Sequence, residues 1–125
     1  MRNGKHVILY VDDDDDDRLA VRQMLDAAGY EMVEASDGEE GLRVLKKTDP
    51  DLVLLDLMME EVDAGVSLLK QIRARDKAIP VYLLSSVGET LSTTTSVAEL
   101  GFSGVLQKPV DTATLSAVIK ARLGS

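Results

Sequence analysis

Apolar residues gather in five short runs along the chain, at 6–11, 30–35, 51–56, 80–85 and 104–107. Runs of this length, rich in Val, Ile, Leu and Tyr, predict buried β-strands. Between them the apolar spacing changes to three and four. Residues 14–28 bring Val21, Met24, Leu25 and Ala28 onto one helical face, and Gly29 is a suitable stop. A second helix is predicted to start near Asp37 and to carry Leu42 and Leu45. A third, from about Gly65 to Arg75, carries Leu68, Leu69 and Ile72, and a last one, from Asp111 to Arg122, carries Leu115, Val118 and Ile119. Segment 89–100 is the weakest helix of the series, because its hydroxyl and β-branched residues are poor helix formers. Five strands alternating with five helices form a repeated βα unit. Strands that are apolar throughout predict a parallel sheet covered on both faces.

Composition narrows this picture. The 125 residues suit one domain, and 45% hydrophobic content is enough for a real core. No linker or repeat divides the chain, so a single domain spanning 1–125 with no output domain is expected. A net charge of −8 argues against direct binding to nucleic acid or to an anionic membrane. The absence of cysteine rules out a disulfide scaffold and agrees with a reducing compartment, and the cytoplasm is the expected location. No segment of the sequence is long and apolar enough to span a bilayer.

Candidate chemistry follows from what ends each strand, since parallel α/β sheets bind ligands beyond the carboxyl ends of their strands. Asp12 and Asp13 follow the first run and open a series of six aspartates, Asp12 to Asp17. Asp56 ends the third run, Ser85 and Ser86 follow the fourth, and Lys108 and Pro109 follow the fifth. Carboxylates gathered at one edge repel each other unless a cation neutralises them, and oxygen-only ligands favour Mg2+ or Ca2+. A hydroxyl and an ammonium beside such a cation can bind phosphoryl oxygens, which makes this equipment for phosphoryl transfer to a carboxylate. Asp14 to Asp17 are expected to be mostly solvated charges at a helix start. His6 is expected to be structural, and Met58 and Met59 to be packing residues.

These residues also carry a family resemblance. Val7 to Asp14, Pro50 to Met59, Ile79 to Ser85 and Leu106 to Pro109, taken in order, closely resemble the receiver domain of bacterial response regulators over nearly the whole chain. The resemblance implies the flavodoxin-like receiver fold, with strand order 2-1-3-4-5 and five helices on the two faces. It implies that Asp56 accepts a phosphoryl group from a sensor histidine kinase or a histidine phosphotransfer protein. Mg2+ would be bound by Asp13, Asp56 and the backbone carbonyl of Met58, with Asp12 acting mainly through a metal-bound water. Ser85 and Lys108 would each bind a phosphoryl oxygen, and the Lys108–Pro109 peptide would be cis. On this reading the chain is a phosphoacceptor signalling domain rather than an enzyme. It would work as a monomer or weak dimer and pass its signal to an unknown downstream protein.

The chain departs from the family pattern in several places. Glu60 stands where receivers usually carry Pro, Ala64 where they carry Gly, and Gly65 comes one position late. The spacing from Ser85 to Lys108 is about one residue longer than usual, and Val105 replaces the usual switch aromatic. Met58 and Val87 are apolar at two positions that often help to place the hydrolytic water, so slow autodephosphorylation is expected. The alternative reading is a non-phosphorylated pseudo-receiver acting as a protein-binding module. A phosphatase of the haloacid dehalogenase type fits poorly, because Asp15 to Arg18 replace its motif and the chain has no length for a cap. A calcium hand lacks the required Gly and Glu, and a flavin phosphate would meet the six aspartates.

Overall fold

The computed structural model describes residues 4–56, 69–74, 79–85, 103–107 and 110–123. Five strands, β1 (Val7–Val11), β2 (Glu31–Ala35), β3 (Leu52–Asp56), β4 (Val81–Ser85) and β5 (Gly104–Gln107), form one parallel sheet in the order β2-β1-β3-β4-β5. The helices are α1 (Asp15–Ala28), α2 (Gly38–Thr48), the helical residues 69–74 (α3) and α4 (Thr112–Leu123). The expected helix over 89–100 lies outside the described residues. Among the described residues, no helix is long and apolar enough to cross a membrane.

Strand alternation sorts the core into two layers. Leu9, Val11, Val53, Leu55, Val81 and Leu83 face Leu45 of α2 and Leu69 and Ile72 of α3. Ile8, Tyr10, Leu52, Leu54, Tyr82 and Leu84 face Val21 and Leu25 of α1 and Leu115 and Ile119 of α4. Both faces of the sheet are covered, as the apolar strands require. β1 and β3 lie at its centre, and every residue of each is buried.

Four strands start one residue later than their apolar runs, for local reasons. Pro80 has no N–H to give, and only its carbonyl joins the ladder, accepting from Val53 N–H at 2.9 Å. Asp51 pairs with β1 by other means: its N–H donates to the Val7 carbonyl at 2.7 Å, and its carboxylate accepts the Val7 N–H at 2.8 Å. His6 Nδ1 lies 3.7 Å from the same carboxylate, at the end of β1 remote from the aspartate series.

The helix ends carry the chemistry that the sequence advertised. Gly29, at φ 89°, closes α1 in the left-handed region, and Tyr30 N–H donates back to the Leu25 carbonyl at 2.9 Å. Asp37 caps α2 by accepting Glu40 N–H at 2.7 Å, while the Glu40 carboxylate reaches back past the cap to accept Ser36 N–H at 2.8 Å. Asp111 accepts Thr114 N–H at 2.6 Å at the start of α4, and this bond holds its carboxyl below the usual carboxylate range.

Gly104 is required by a close approach. A Cβ at this position would lie 2.9 Å from Tyr82 Cε1. The Tyr82 ring has little room to yield, because Arg122 Nε donates to its hydroxyl at 2.7 Å and the guanidinium lies 5.7 Å from the ring centroid. Gly104→Ala is therefore expected to destabilise the fold by about 1–3 kcal/mol through overpacking. A lowered urea midpoint would show this, and an unchanged midpoint would mean that β5 shifts freely.

Candidate functional site

The ends of the two central strands build the site. β1 runs into Asp12, whose N–H still donates to the Ala35 carbonyl of β2 at 3.1 Å, so the sheet ladder fixes its backbone. Asp12 is fully buried (0% exposed). Asp56 is the last residue of β3, lies opposite Leu84 of β4, and is 3% exposed. Asp13 is exposed. One carboxylate oxygen from each of Asp12, Asp13 and Asp56 lies within 4.8 Å of the others. Three carboxylates at this spacing, two of them buried, repel strongly without a cation between them. All the donors are hard oxygens, so the set fits Mg2+ or a similar divalent ion.

The surroundings hold Asp12 in place. Its Oδ1 accepts Asp14 N–H at 2.9 Å, and its Oδ2 accepts the Tyr10 hydroxyl. Arg18 Nη1 donates to the Asp12 carbonyl at 2.6 Å. Arg18 is itself held by Asp15 and stands 4.0 Å from Glu34 of β2, which also pairs with Arg22 at 3.2 Å. Burial pushes the Tyr10 phenol far above its usual pKa, and its bond to Asp12 and the charges of Asp12, Asp56 and Asp17 push the same way. The hydroxyl therefore stays protonated and remains a donor.

Asp12, Asp13 and Asp56, predicted to converge, do so. Ser85 ends β4 and pairs with Gln107, the residue before Lys108. Its side chain, Met58, Lys108 and the Lys108–Pro109 peptide lie outside the described residues, as do Glu60, Ala64 and Val87. Asp14, Asp15 and Asp16 are exposed, as expected of charges at a helix start. Asp14 does more than carry charge: it caps α1 by accepting the N–H groups of Asp16 (2.8 Å) and Asp17 (3.1 Å). Sequence reasoning missed Tyr10 and Arg18. A signal for Tyr10 existed, since residues two apart on a strand share a face. Arg18 lies six residues beyond Asp12, and nothing in the sequence points its guanidinium at a backbone carbonyl.

Comparison with known proteins agrees with this geometry. The family model described as "Response regulator receiver domain" matches residues 8–120. The chain is 36% identical over 123 residues to a probable transcriptional regulator, ycf27, of Pyropia yezoensis, covering 98% of this chain and 49% of that protein. It is 33% identical over 116 residues to the alkaline phosphatase synthesis transcriptional regulatory protein PhoP of Bacillus subtilis, covering 93% and 48%. The chain thus spans about half the length of the curated relatives it matches. Among solved structures, a putative response regulator from Chloroflexus aurantiacus superposes with a TM-score of 0.86 at 31% identity, covering 97% of this chain and 99% of that one. The Vibrio cholerae chemotaxis protein CheY4 superposes with a TM-score of 0.85 at 28% identity, covering 95% and 99%. With the acidic cluster at the carboxyl edge of a 2-1-3-4-5 parallel sheet, these matches establish that the chain belongs to the response regulator receiver domain family, the signalling domains of two-component systems.

Proposed function

We propose that this receiver is an active phosphoacceptor and that Asp56 is the residue modified. The convergence of Asp12, Asp13 and Asp56 within 4.8 Å carries this reading. A carboxylate oxygen of Asp56 attacks the phosphorus of a phosphohistidine on a sensor kinase or phosphotransfer protein. The P–N bond breaks, its electron pair returns to the imidazole nitrogen, and an acyl phosphate forms on Asp56. Asp13, Asp56 and the Met58 carbonyl would hold Mg2+ directly, and Asp12 would act mainly through a metal-bound water. The bound ion supplies neutralisation of the charge that carboxylates and phosphoryl oxygens would otherwise accumulate. Ser85 and Lys108 bind the phosphoryl oxygens and hold the group in line with the attacking oxygen. Output passes through a protein contact; a chain of net charge −8 is poorly suited to a phosphate backbone. Transcriptional regulation is said of the longer relatives in their names.

Intact mass after incubation with acetyl phosphate and Mg2+ tests the reading. A gain of one phosphoryl group is the expected result. No gain, with Mg2+ binding established separately, would make the domain a pseudo-receiver that acts as a constitutive protein-binding module.

The apolar pair Met58 and Val87 gives the phosphoryl group a long lifetime in this proposal, because neither side chain can orient a hydrolytic water. Met58→Asn is expected to shorten that lifetime several-fold when loss of phosphoryl mass is followed over time. A short lifetime in the unaltered chain that Met58→Asn leaves unchanged would overturn the idea.

A further inference from the structure

Asp12 N–H still belongs to the β1 ladder, donating to the Ala35 carbonyl at 3.1 Å. The next two peptide groups are held by side chains. The Asp12 carbonyl accepts Arg18 Nη1 at 2.6 Å, and Asp14 N–H donates to Asp12 Oδ1 at 2.9 Å. These bonds act on the two peptide planes that flank the Asp13 Cα. The planes set φ and ψ of Asp13, and with them the direction in which its Cβ leaves the chain. Asp13 is exposed, so burial does nothing to aim its carboxylate. Arg18 is well anchored for the task. Its side chain is 14% exposed, Asp15 holds Nη2, and Nε stands 4.0 Å from Glu34, which pairs with Arg22 at 3.2 Å. A guanidinium presents its donors in a rigid fork, so fixing one end aims the other.

We propose that Arg18 is a positioning residue for the cation site: by holding the Asp12–Asp13 peptide plane it fixes the aim of Asp13 before an ion arrives. This role rests on the reading of Asp13 and Asp56 as direct ligands of a divalent ion. Mg2+ demands near-ideal octahedral geometry, so a misaimed ligand weakens its binding. A ligand that is already aimed also loses less freedom on capture. The role leaves the Asp12 carboxylate with all its partners, since Arg18 bonds the carbonyl. It also runs against the charge of the residue. A guanidinium near a cation repels it, so an Arg18 that acted through charge alone would weaken Mg2+ binding, and its removal would tighten it. Positioning has the opposite sign, which makes the two roles separable.

Two measurements test this. In the unaltered protein without metal, the NMR order parameter of the Asp13 amide is expected to match those of β1, about 0.85 for rigid backbone. A value in the mobile range, below about 0.6, would mean that the peptide is not held and would overturn the proposal. Calorimetric titration of Mg2+ into the unaltered protein and into Arg18→Met gives the second readout, since Met keeps an apolar stem and removes the fork. The variant is expected to bind Mg2+ about ten-fold more weakly, at the lower end of the range for residues that orient metal ligands. Its order parameter is expected to fall at Asp13 and to hold in β1. A folded variant with unchanged or tighter Mg2+ binding would overturn the proposal while leaving the metal site intact. If the variant does not fold, the order parameter of the unaltered protein decides. Unaltered protein that binds no Mg2+ would overturn the metal-site reading and the proposal with it.

Discussion

Asp56→Asn is expected to take up no phosphoryl group from acetyl phosphate and Mg2+, and to be more stable than the unaltered chain when metal is absent. The first effect follows from chemistry: a carboxamide oxygen is a poor nucleophile, and the remaining aspartates are placed differently. Asp12 has both oxygens engaged by donors, and Asp13 lies exposed at the rim. The second effect follows from electrostatics. Asp56 is buried with Asp12 and within 4.8 Å of two other carboxylate oxygens, and the amide removes one charge with almost no change in shape. Two like charges about 4 Å apart near a protein surface interact by roughly 4 kcal/mol, and solvent at exposed Asp13 screens part of this, so a gain of about 1–3 kcal/mol is expected. Saturating Mg2+ should narrow the difference, because the ion stabilises the folded state of the unaltered chain by mass action. Intact mass and urea unfolding with and without Mg2+ measure both effects. A variant that still gained a phosphoryl group would move the acceptor to another aspartate. One that was less stable without metal would show that Asp56 makes structural bonds worth more than the repulsion.

Leu54→Ala is expected to cost about 2–5 kcal/mol, a large fraction of the roughly 5–15 kcal/mol that stabilises an ordinary domain. Leu54 is fully buried in the centre of β3 and packs in the layer between the sheet and α1 and α4, with Tyr10, Leu25 and Leu115 in the same cluster. The cost is at the upper end if the layer does not close over the void. The loss should lower the urea midpoint while the transition stays cooperative. Because Asp56 is held by the ladder to β4 rather than by Leu54, folded variant molecules should still be phosphorylated. A cost below about 1 kcal/mol would mean that the two layers repack around the void.

Most of the scaffold was legible in the sequence because it obeys short-range rules. The apolar runs became strands, with Asp51 and Pro80 left just outside because one pairs through its side chain and the other has no N–H to donate. Asp37 and Gly29 mark helix ends by chemistry that acts over three or four residues. Asp12, Asp13 and Asp56 were legible as a site because a parallel sheet sends all its strand ends to one edge. The Tyr10 hydroxyl was hidden by its own ring, which reads as one more core residue in an apolar run. The links from Arg18 to the Asp12 carbonyl and to Glu34 depend on how α1 sits over β1 and β2, and that is tertiary information.

The central position of β1 and β3 has a consequence for how the site meets its cation. Asp12 and Asp56 follow Val11 and Leu55, which lie side by side in the register of two fully buried strands. The spacing of these two carboxylates is thus set by a backbone ladder and not by loops. Bringing like charges together has a conformational cost, and here the chain meets it once, on folding. Ion capture then needs little further ordering of these two residues, so the site is preorganised. Any weakening of the sheet centre should appear as weaker ion binding well before the fold is lost.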